Sequence, residues 1–367
     1  MTKRGHEPGL AAASNRRRSA FSGIEQRVLK KLKALELGAC PKVVVGFSGG
    51  PDSLCLAAIL DRLARNGHVQ PRLVHVNHQL RPNSHTESEA VDRLANHFNL
   101  PISRSTLREY FVADHPGIGI EEAARRERYL RLAHWADRID TSLIAVGHHR
   151  NDQAETVLLH LLRGSGLTGV SGMKELTRVL IPWWTSIDSE PRFVLWRPLL
   201  TESKAEIDHI VKSLGVVPIQ DESNDDQRFR RNAIRHSVLP AIDEIFPEAR
   251  SAISRFASIV AEEDAFLEQL AAAALERAIT HEHQLNVASL LLEPTAIRRR
   301  IVAMWLAERV SSDAITLDRV EAVLNLAKNG IGRKVVEIGE RISIEFRRGE
   351  LVARSQVIES GSEDEPS

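Results

Sequence analysis

The run Lys42-Val-Val-Val-Gly-Phe47 breaks on two consecutive glycines, and an apolar helical stretch from Ser53 to Ala64 follows at once. A short β-branched run favours a buried strand, and the glycines permit a tight reversal into a helix. A strand feeding a helix through so short a turn is half of a βαβ unit. It commits this part of the chain to a sheet with parallel strands.

The alternation continues. Leu73-Val-His-Val76 reads as a second buried strand, Ser84 to Phe98 as a helix and Pro101 to Ser105 as a third strand. Ile120 to Asp137 reads as a charged helix, Ser142 to Val146 as a fourth strand and Asn151 to Leu162 as a helix; another helix, Gly23 to Leu37, precedes the first strand. The expected class is α/β, a parallel sheet with helices on both faces, whose ligands collect at the carboxyl ends of its strands.

After Pro240 the character changes. An alanine-rich helix is expected from Pro247 to Ala278 and amphipathic helices from Pro294 to Arg309 and Leu317 to Lys328. Short strand-like segments follow at Lys334 to Ile338, Arg341 to Phe346 and Leu351 to Ala353. We expect a disordered basic tail over residues 1–20, the α/β domain over 21–245, a smaller helix-rich α+β C-terminal domain with a helical linker over 246–357, and an acidic tail over 358–367.

Lys plus Arg and Asp plus Glu each number 49, so any nucleic-acid binding must come from local clusters rather than global charge. The two cysteines, Cys40 and Cys55, cannot build a disulfide scaffold, a four-cysteine zinc site or the usual thiolate set of an iron–sulfur cluster, and they fit a reducing cytoplasm. No apolar run is long enough to span a membrane, and the basic first twenty residues lack the apolar core of a signal peptide.

Ser48-Gly-Gly-Pro-Asp-Ser53 is the sharpest chemical signal. Gly49 and Gly50 allow the backbone to turn its amides toward a ligand, and Ser48 and Ser53 add hydroxyl donors at a helix N-terminus. A pyrophosphate fits there. No lysine follows the glycines, which sets the loop apart from a Walker loop. Asp52 inside an anion site needs a cation between itself and phosphate, and Mg2+ is the economical choice.

Five further strings accompany it: His75-Val-Asn-His78-Gln-Leu-Arg81; Glu121-Glu-Ala-Ala-Arg125 with Arg128 and Tyr129; Gly147-His-His-Arg-Asn-Asp152-Gln-Ala-Glu155-Thr156; Arg163-Gly-Ser-Gly-Leu-Thr-Gly-Val-Ser-Gly-Met173 with Arg197-Pro-Leu-Leu200; and Asp221-Glu-Ser-Asn224 with Arg231, Asn232, Arg235 and His236. Asp152 and Glu155 lie three apart on one helical face, where they are either a solvated acidic surface or a seat for ammonium groups. His75, His78, His148 and His149 are open to zinc ligation, phosphate or base contact, or packing. The glycine-rich 163–173 segment suits close backbone approach or a plain flexible loop. Arg228, Arg230, Arg231 and Arg235 form one basic cluster and Arg298, Arg299 and Arg300 another; each is a solvated face or a phosphate-contacting surface.

In that combination and order the chain resembles the tRNA(Ile)-lysidine synthetases, closely over about residues 40 to 240, within the PP-loop, N-type ATP pyrophosphatase superfamily. The resemblance implies an adenine-nucleotide α-hydrolase-like catalytic domain over 21–245 and a tRNA-binding role for 246–357. It implies a ligase that uses ATP and Mg2+ to adenylate the wobble cytidine of tRNA(Ile) with a CAU anticodon, then joins L-lysine to carbon 2 with release of AMP. This changes codon specificity from Met to Ile. Residues 48–53 and Arg125 would bind ATP, Asp52 the Mg2+, and Asp152 and Glu155 the lysine. Asp52, His148, Asp152 and Glu155 would serve the chemistry, and Arg228, Arg231, Arg235, Arg298 and Arg299 the tRNA. A homodimer is compatible with this reading. A thiolating relative would want paired cysteines, and a non-catalytic RNA-binding descendant would not need Ser48, Asp52, Ser53, Asp152 and Glu155 intact.

Overall fold

Alternating side chains decide which way each strand faces. In β1 (Lys42–Gly46), Val43 and Val45 point into one apolar layer and Val44 into the other, and all three are fully buried. The computed structural model describes residues 23–77, 84–108, 111–115, 117–179, 193–219, 230–310, 314–330, 335–339 and 342–355. His78, Arg81, Asp221 to Asn224, Arg228 and both expected tails lie outside them.

The first compact unit covers Met1–Val260 and is built on a six-stranded sheet of order β3-β2-β1-β4-β6-β5. Its strands are β1, β2 (Gln70–Asn77), β3 (Ile102–Thr106), β4 (Leu143–Ala145), β5 (Leu176–Val179) and β6 (Phe193–Trp196). Five run parallel; β5 pairs antiparallel with β6 and closes the edge, a hairpin the sequence reading does not anticipate. One face carries α1 (residues 23–33), α2 (Pro51–Arg65), the segment around α3 (Ser84–Ala95) and α7 (Lys204–Leu214), through Ile24, Val28, Leu56, Ile59, Phe98 and Ile207. The other carries α4 (Ile120–Arg138), through Ala123, Leu132 and Ala136 against Val44, Val74 and Ile144. Burying each large aliphatic side chain contributes about 1.5–3 kcal/mol, so the two layers together anchor the strand ends that carry the loops.

Beyond the sheet, α5 (Arg150–Leu162) and the short α6 (Leu167–Val170) lead to β5, and α8 (Arg230–Ala233), a π-helical turn (Ile234–Val238) and α9 (Leu239–Ile245) follow α7. Ala154 of α5, Ile234 and Leu239 share a small apolar cluster that docks this segment on α5.

The second unit covers Ala261–Ser367. The sequence reading places the change near residue 245; the division into compact units falls inside α10 (Ala249–Ala278). Ala271, Ala274 and Ala278 of α10 belong to the core of the second unit. That core joins α11 (Val287–Leu292), α12 (Thr295–Ala307) and α13 (Leu317–Lys328) to an antiparallel sheet of order β7-β10-β9-β8. Its strands are β7 (Leu285–Asn286), β8 (Val335–Ile338), β9 (Ile342–Arg347) and β10 (Glu350–Ser355). Trp305 is fully buried and its indole N–H donates to the His283 carbonyl at 3.1 Å.

Candidate active site

β1 connects onward to β2 on one side, whereas its other neighbour is β4, so the strand order reverses between β1 and β4. The crevice outside the carboxyl ends of those two strands is where open α/β sheets hold ligands. The loops leaving β1 and β4 are those that carry Ser48 to Ser53 and Gly147 to Asp152.

Gly49 takes φ +78°, and a Cβ there would meet Ile219 Cδ1 at 2.6 Å. The positive φ calls for glycine, while the Ile219 tip could move aside. Ser48 Oγ accepts from the Gly50 amide at 3.3 Å, and Ser53 Oγ donates to the Gly50 carbonyl at 2.9 Å. Pro51 opens α2, and no side chain caps the helix at Gly50, an arrangement of first-turn amides that suits an anion. Gly147 is the second close approach: a Cβ would lie 2.9 Å from both the carbonyl carbon and oxygen of Asp52. The two loops therefore meet backbone to backbone.

His149 links them. It caps α5, its Nδ1 accepting from the Asn151 amide at 3.1 Å while Asp152 Oδ2 accepts from the His149 amide at 2.9 Å. Nδ1 being taken, the ring proton sits on Nε2, which faces Asp52 Oδ1 at 3.4 Å. Lys204 reaches the same oxygen at 2.6 Å. Burial opposes the charge of Asp52, but His149 and the Lys204 ammonium outweigh it and hold the carboxyl at about 2. An ionised carboxylate beside a phosphate seat suits Mg2+, which binds through one or two carboxylates plus phosphate oxygens. Lys204 is missing from the sequence reading. Its signal was the capping pattern Ser203-Lys-Ala-Glu206 just after Arg197-Pro-Leu-Leu200, which starts α7 with Lys204 as its first residue.

His148 is differently placed. Arg197, only 5 % exposed, donates from Nε to His148 Nδ1 at 3.2 Å and from Nη1 to the Lys174 carbonyl and Thr177 Oγ1, both at 2.8 Å. Burial, helped by the nearby Arg197, Arg231 and Arg128 and against the pull of Asp152, pushes His148 down to about 3. It is a neutral Nε2–H donor, with its basic nitrogen already engaged.

The acidic pair is brought together but not left open. Arg235 binds Glu155 Oε1 at 2.6 Å and Asp152 Oδ1 at 3.0 Å; Arg231 binds Glu155 Oε2 at 3.0 Å and Asp152 Oδ1 at 3.4 Å. Glu155 is 1 % exposed. Two arginines read from sequence as surface cations thus neutralise two carboxylates read as an ammonium seat.

The remaining residues fall into place one by one. Arg125 lies on α4 with its guanidinium 5.7 Å from the Tyr129 ring centroid and 3.5 Å from Glu122. His75 is buried, its Nδ1 3.1 Å from the Phe47 carbonyl. Among the described residues no three His, Cys, Asp or Glu side chains converge as a metal cluster. The 163–173 segment is pinned rather than loose: Gln153 accepts from the Met173 amide at 2.8 Å and donates to the Met173 carbonyl at 3.1 Å, and His160 Nδ1 lies 2.6 Å from the Gly169 carbonyl. In the second unit Arg298 bonds the Leu291 and Glu293 carbonyls, Arg299 pairs with Glu321, and Arg300 pairs with buried Asp264 at 2.6 Å. These three are engaged in the fold, with Arg299 the more exposed.

Residues 23–242 match the PP-loop domain family. The chain is 36 % identical to the tRNA(Ile)-lysidine synthase of Symbiobacterium thermophilum, over 84 % of this chain and 64 % of that one. It is 32 % identical to the enzyme of the same name from Caldanaerobacter subterraneus, over 86 % of this chain and 66 % of that one. The chain therefore spans just under two thirds of the length of these curated relatives. Among solved structures, the U34-tRNA thiolase NcsA from Methanococcus maripaludis shares the fold, with a TM-score of 0.54 at 16 % identity over 67 % of this chain and 80 % of that one. No helix among the described residues is long and apolar enough to cross a membrane.

Proposed function

The chain belongs to the PP-loop family, and from that premise we propose that it is a cytoplasmic ligase that joins L-lysine to the wobble cytidine of tRNA(Ile) with a CAU anticodon, at the expense of ATP. The observation that carries this reading is the convergence at one strand-order reversal of the Ser48–Ser53 loop, Asp52 and the Asp152–Glu155 pair, in a chain similar to proteins named for that activity.

ATP lies with its phosphates over the loop, met by the amides of Gly49, Asp52 and Ser53 and the hydroxyls of Ser48 and Ser53. Arg125 holds the nucleotide from α4. Asp52 is the residue that would hold Mg2+, which would supply charge neutralisation beside the phosphates. Oxygen 2 of the cytosine attacks the α-phosphorus; a P–O bond forms, the bond to the β-phosphate breaks, and pyrophosphate departs. The adenylated base is then attacked at carbon 2 by lysine's ε-amine, and AMP leaves.

Lysine's ammonium has an ordinary pKa of about 10.4, so a proton must be lost before attack. Asp152 and Glu155 receive both the ammonium and that proton. His148 is the poorer base, because Arg197 donates to its Nδ1 and leaves no ring nitrogen open to take a proton. Lysine competes with Arg231 and Arg235 for the pair, so its entry requires the α8 segment to yield. Released guanidiniums would then face tRNA phosphate. Holding of the tRNA body falls to the second unit, through exposed Arg299 rather than the carbonyl-bound Arg298, and to the basic segment that contains Arg228. A thiolating reading gains no support from Cys55, which is buried and whose thiol burial pushes upward, away from a thiolate.

The test is direct. Purified protein, ATP, labelled lysine and an unmodified tRNA(Ile) transcript bearing CAU should yield labelled tRNA with AMP. Nucleotide binding with neither product refutes the reading.

A further inference from the structure

The Ser48–Ser53 loop contains no lysine or arginine, yet a departing pyrophosphate gains negative charge as its bond to the α-phosphorus breaks. Walker-type loops meet that charge with a lysine of their own. Here an ammonium group arrives from elsewhere in the chain. We propose that Lys204 is the residue that binds and stabilises the departing pyrophosphate, delivered to the loop by the start of α7. This rests on the ATP-activating reading above and adds a residue to it.

The backbone around Lys204 is fixed. Ser203 and Glu206 close a capping box around it, with Ser203 Oγ accepting from the Glu206 amide at 3.3 Å. Glu202, 2 % exposed, holds Arg27 at 2.5 Å, and its carbonyl accepts from the Arg150 amide at 3.1 Å at the start of α5. Arg150 in turn donates to the Thr201 carbonyl at 2.6 Å, and Lys31 to the Pro198 carbonyl at 2.7 Å. The segment 198–206 is thus tied to α1 and to the β4 loop, and only the lysine's own side chain is free to swing.

That side chain has two anionic partners. Its Nζ lies 2.6 Å from Asp52 Oδ1 in the loop and 3.2 Å from Asp208 Oδ1 one turn along its own helix. A divalent cation at Asp52 would expel the ammonium by like-charge repulsion. Asp208 keeps it within the same few ångströms, beside the phosphate seat. As the cytosine oxygen bonds to the α-phosphorus, the Pα–O bond to the β-phosphate breaks and its electron pair stays on pyrophosphate. Lys204 meets that charge as an ammonium, with no proton changing hands.

The experiment compares the full chain with K204M and K204R. In single turnovers with the CAU transcript and Mg·ATP, K204M should release pyrophosphate about 100-fold more slowly, the usual effect of deleting one transition-state donor, with ATP affinity much less affected. K204R should recover most of the rate. The K204M deficit should shrink with β,γ-difluoromethylene ATP, whose leaving group needs less help, and widen with β,γ-methylene ATP. By calorimetry, Mg·pyrophosphate should bind K204M about tenfold more weakly while AMP binding stays within twofold.

Wild-type rates in K204M, or a deficit that ignores the leaving group, would overturn the proposal; so would unchanged pyrophosphate affinity. A wild-type protein that binds pyrophosphate through Lys204 but never releases it from ATP in the presence of tRNA would instead sink the ATP-activating reading.

Discussion

Asp52 concentrates the electrostatics of the site. Its carboxyl sits at about 2 against an ordinary 3.8, despite burial, because His149 and Lys204 favour the anion. A depressed carboxyl stabilises the fold above its unfolded pKa, and the benefit is lost as pH falls from 3.8 toward 2. Acid titrations of wild type and D52N should therefore diverge in that window, the variant losing less stability. K204M should raise the Asp52 midpoint, read by carbon NMR of the carboxyl; an unmoved midpoint would mean that Lys204 does not touch it in solution. D52A should abolish AMP formation with tRNA, measured by nucleotide chromatography.

At the scale of elements, two loops share a space that admits no side chain between them. Gly147→Ala places a methyl 2.9 Å from backbone atoms of Asp52, which cannot rotate away. We expect a stability loss of about 1–3 kcal/mol by denaturant titration, and a larger proportional loss of AMP formation because the phosphate seat itself shifts. Retained activity would show the loops to be looser than this. Glu155 is held by two guanidiniums on α8 and the following π-turn, so E155Q should raise the lysine requirement at least tenfold while sparing tRNA adenylation, followed as pyrophosphate release without lysine. Equal loss of both steps would remove Glu155 from the lysine seat. The elements that sequence made legible were β1 and β2 through their β-branched runs, β4 as a short apolar segment between two helical stretches, and α12 and α13 through their apolar faces. The β5–β6 hairpin was not, because this antiparallel pair stands outside the strand–helix alternation that marks β1 to β4. The loop and the acidic pair were legible as local strings. Their partners were not: Arg231 and Arg235 lie 76 to 83 residues from Glu155 and Asp152, and Lys204 lies 152 from Asp52. Only tertiary folding makes such pairs.

Over the whole molecule, charge is balanced, so the proposed tRNA affinity must come from patches. Arginine triplets in sequence overstate what is free to bind. Arg298 serves helix carbonyls and Arg300 a buried aspartate, and both belong first to the core of the second unit. Arg298→Ala should lower the melting temperature of that unit. Arg299→Glu should leave folding intact yet weaken tRNA binding at low salt and reduce the salt slope by about one; an unchanged slope would take Arg299 out of the tRNA surface.

The central claim is that ATP is split at its innermost phosphate to make a cytidine receptive to lysine. The most direct measurement is the stoichiometry of AMP, pyrophosphate and incorporated lysine on a CAU-bearing tRNA(Ile) transcript, with the methionine tRNA of the same anticodon alongside. We expect one of each per lysine on the first tRNA and none on the second. AMP formed without lysine on the tRNA, or ATP bound and never split, would contradict it.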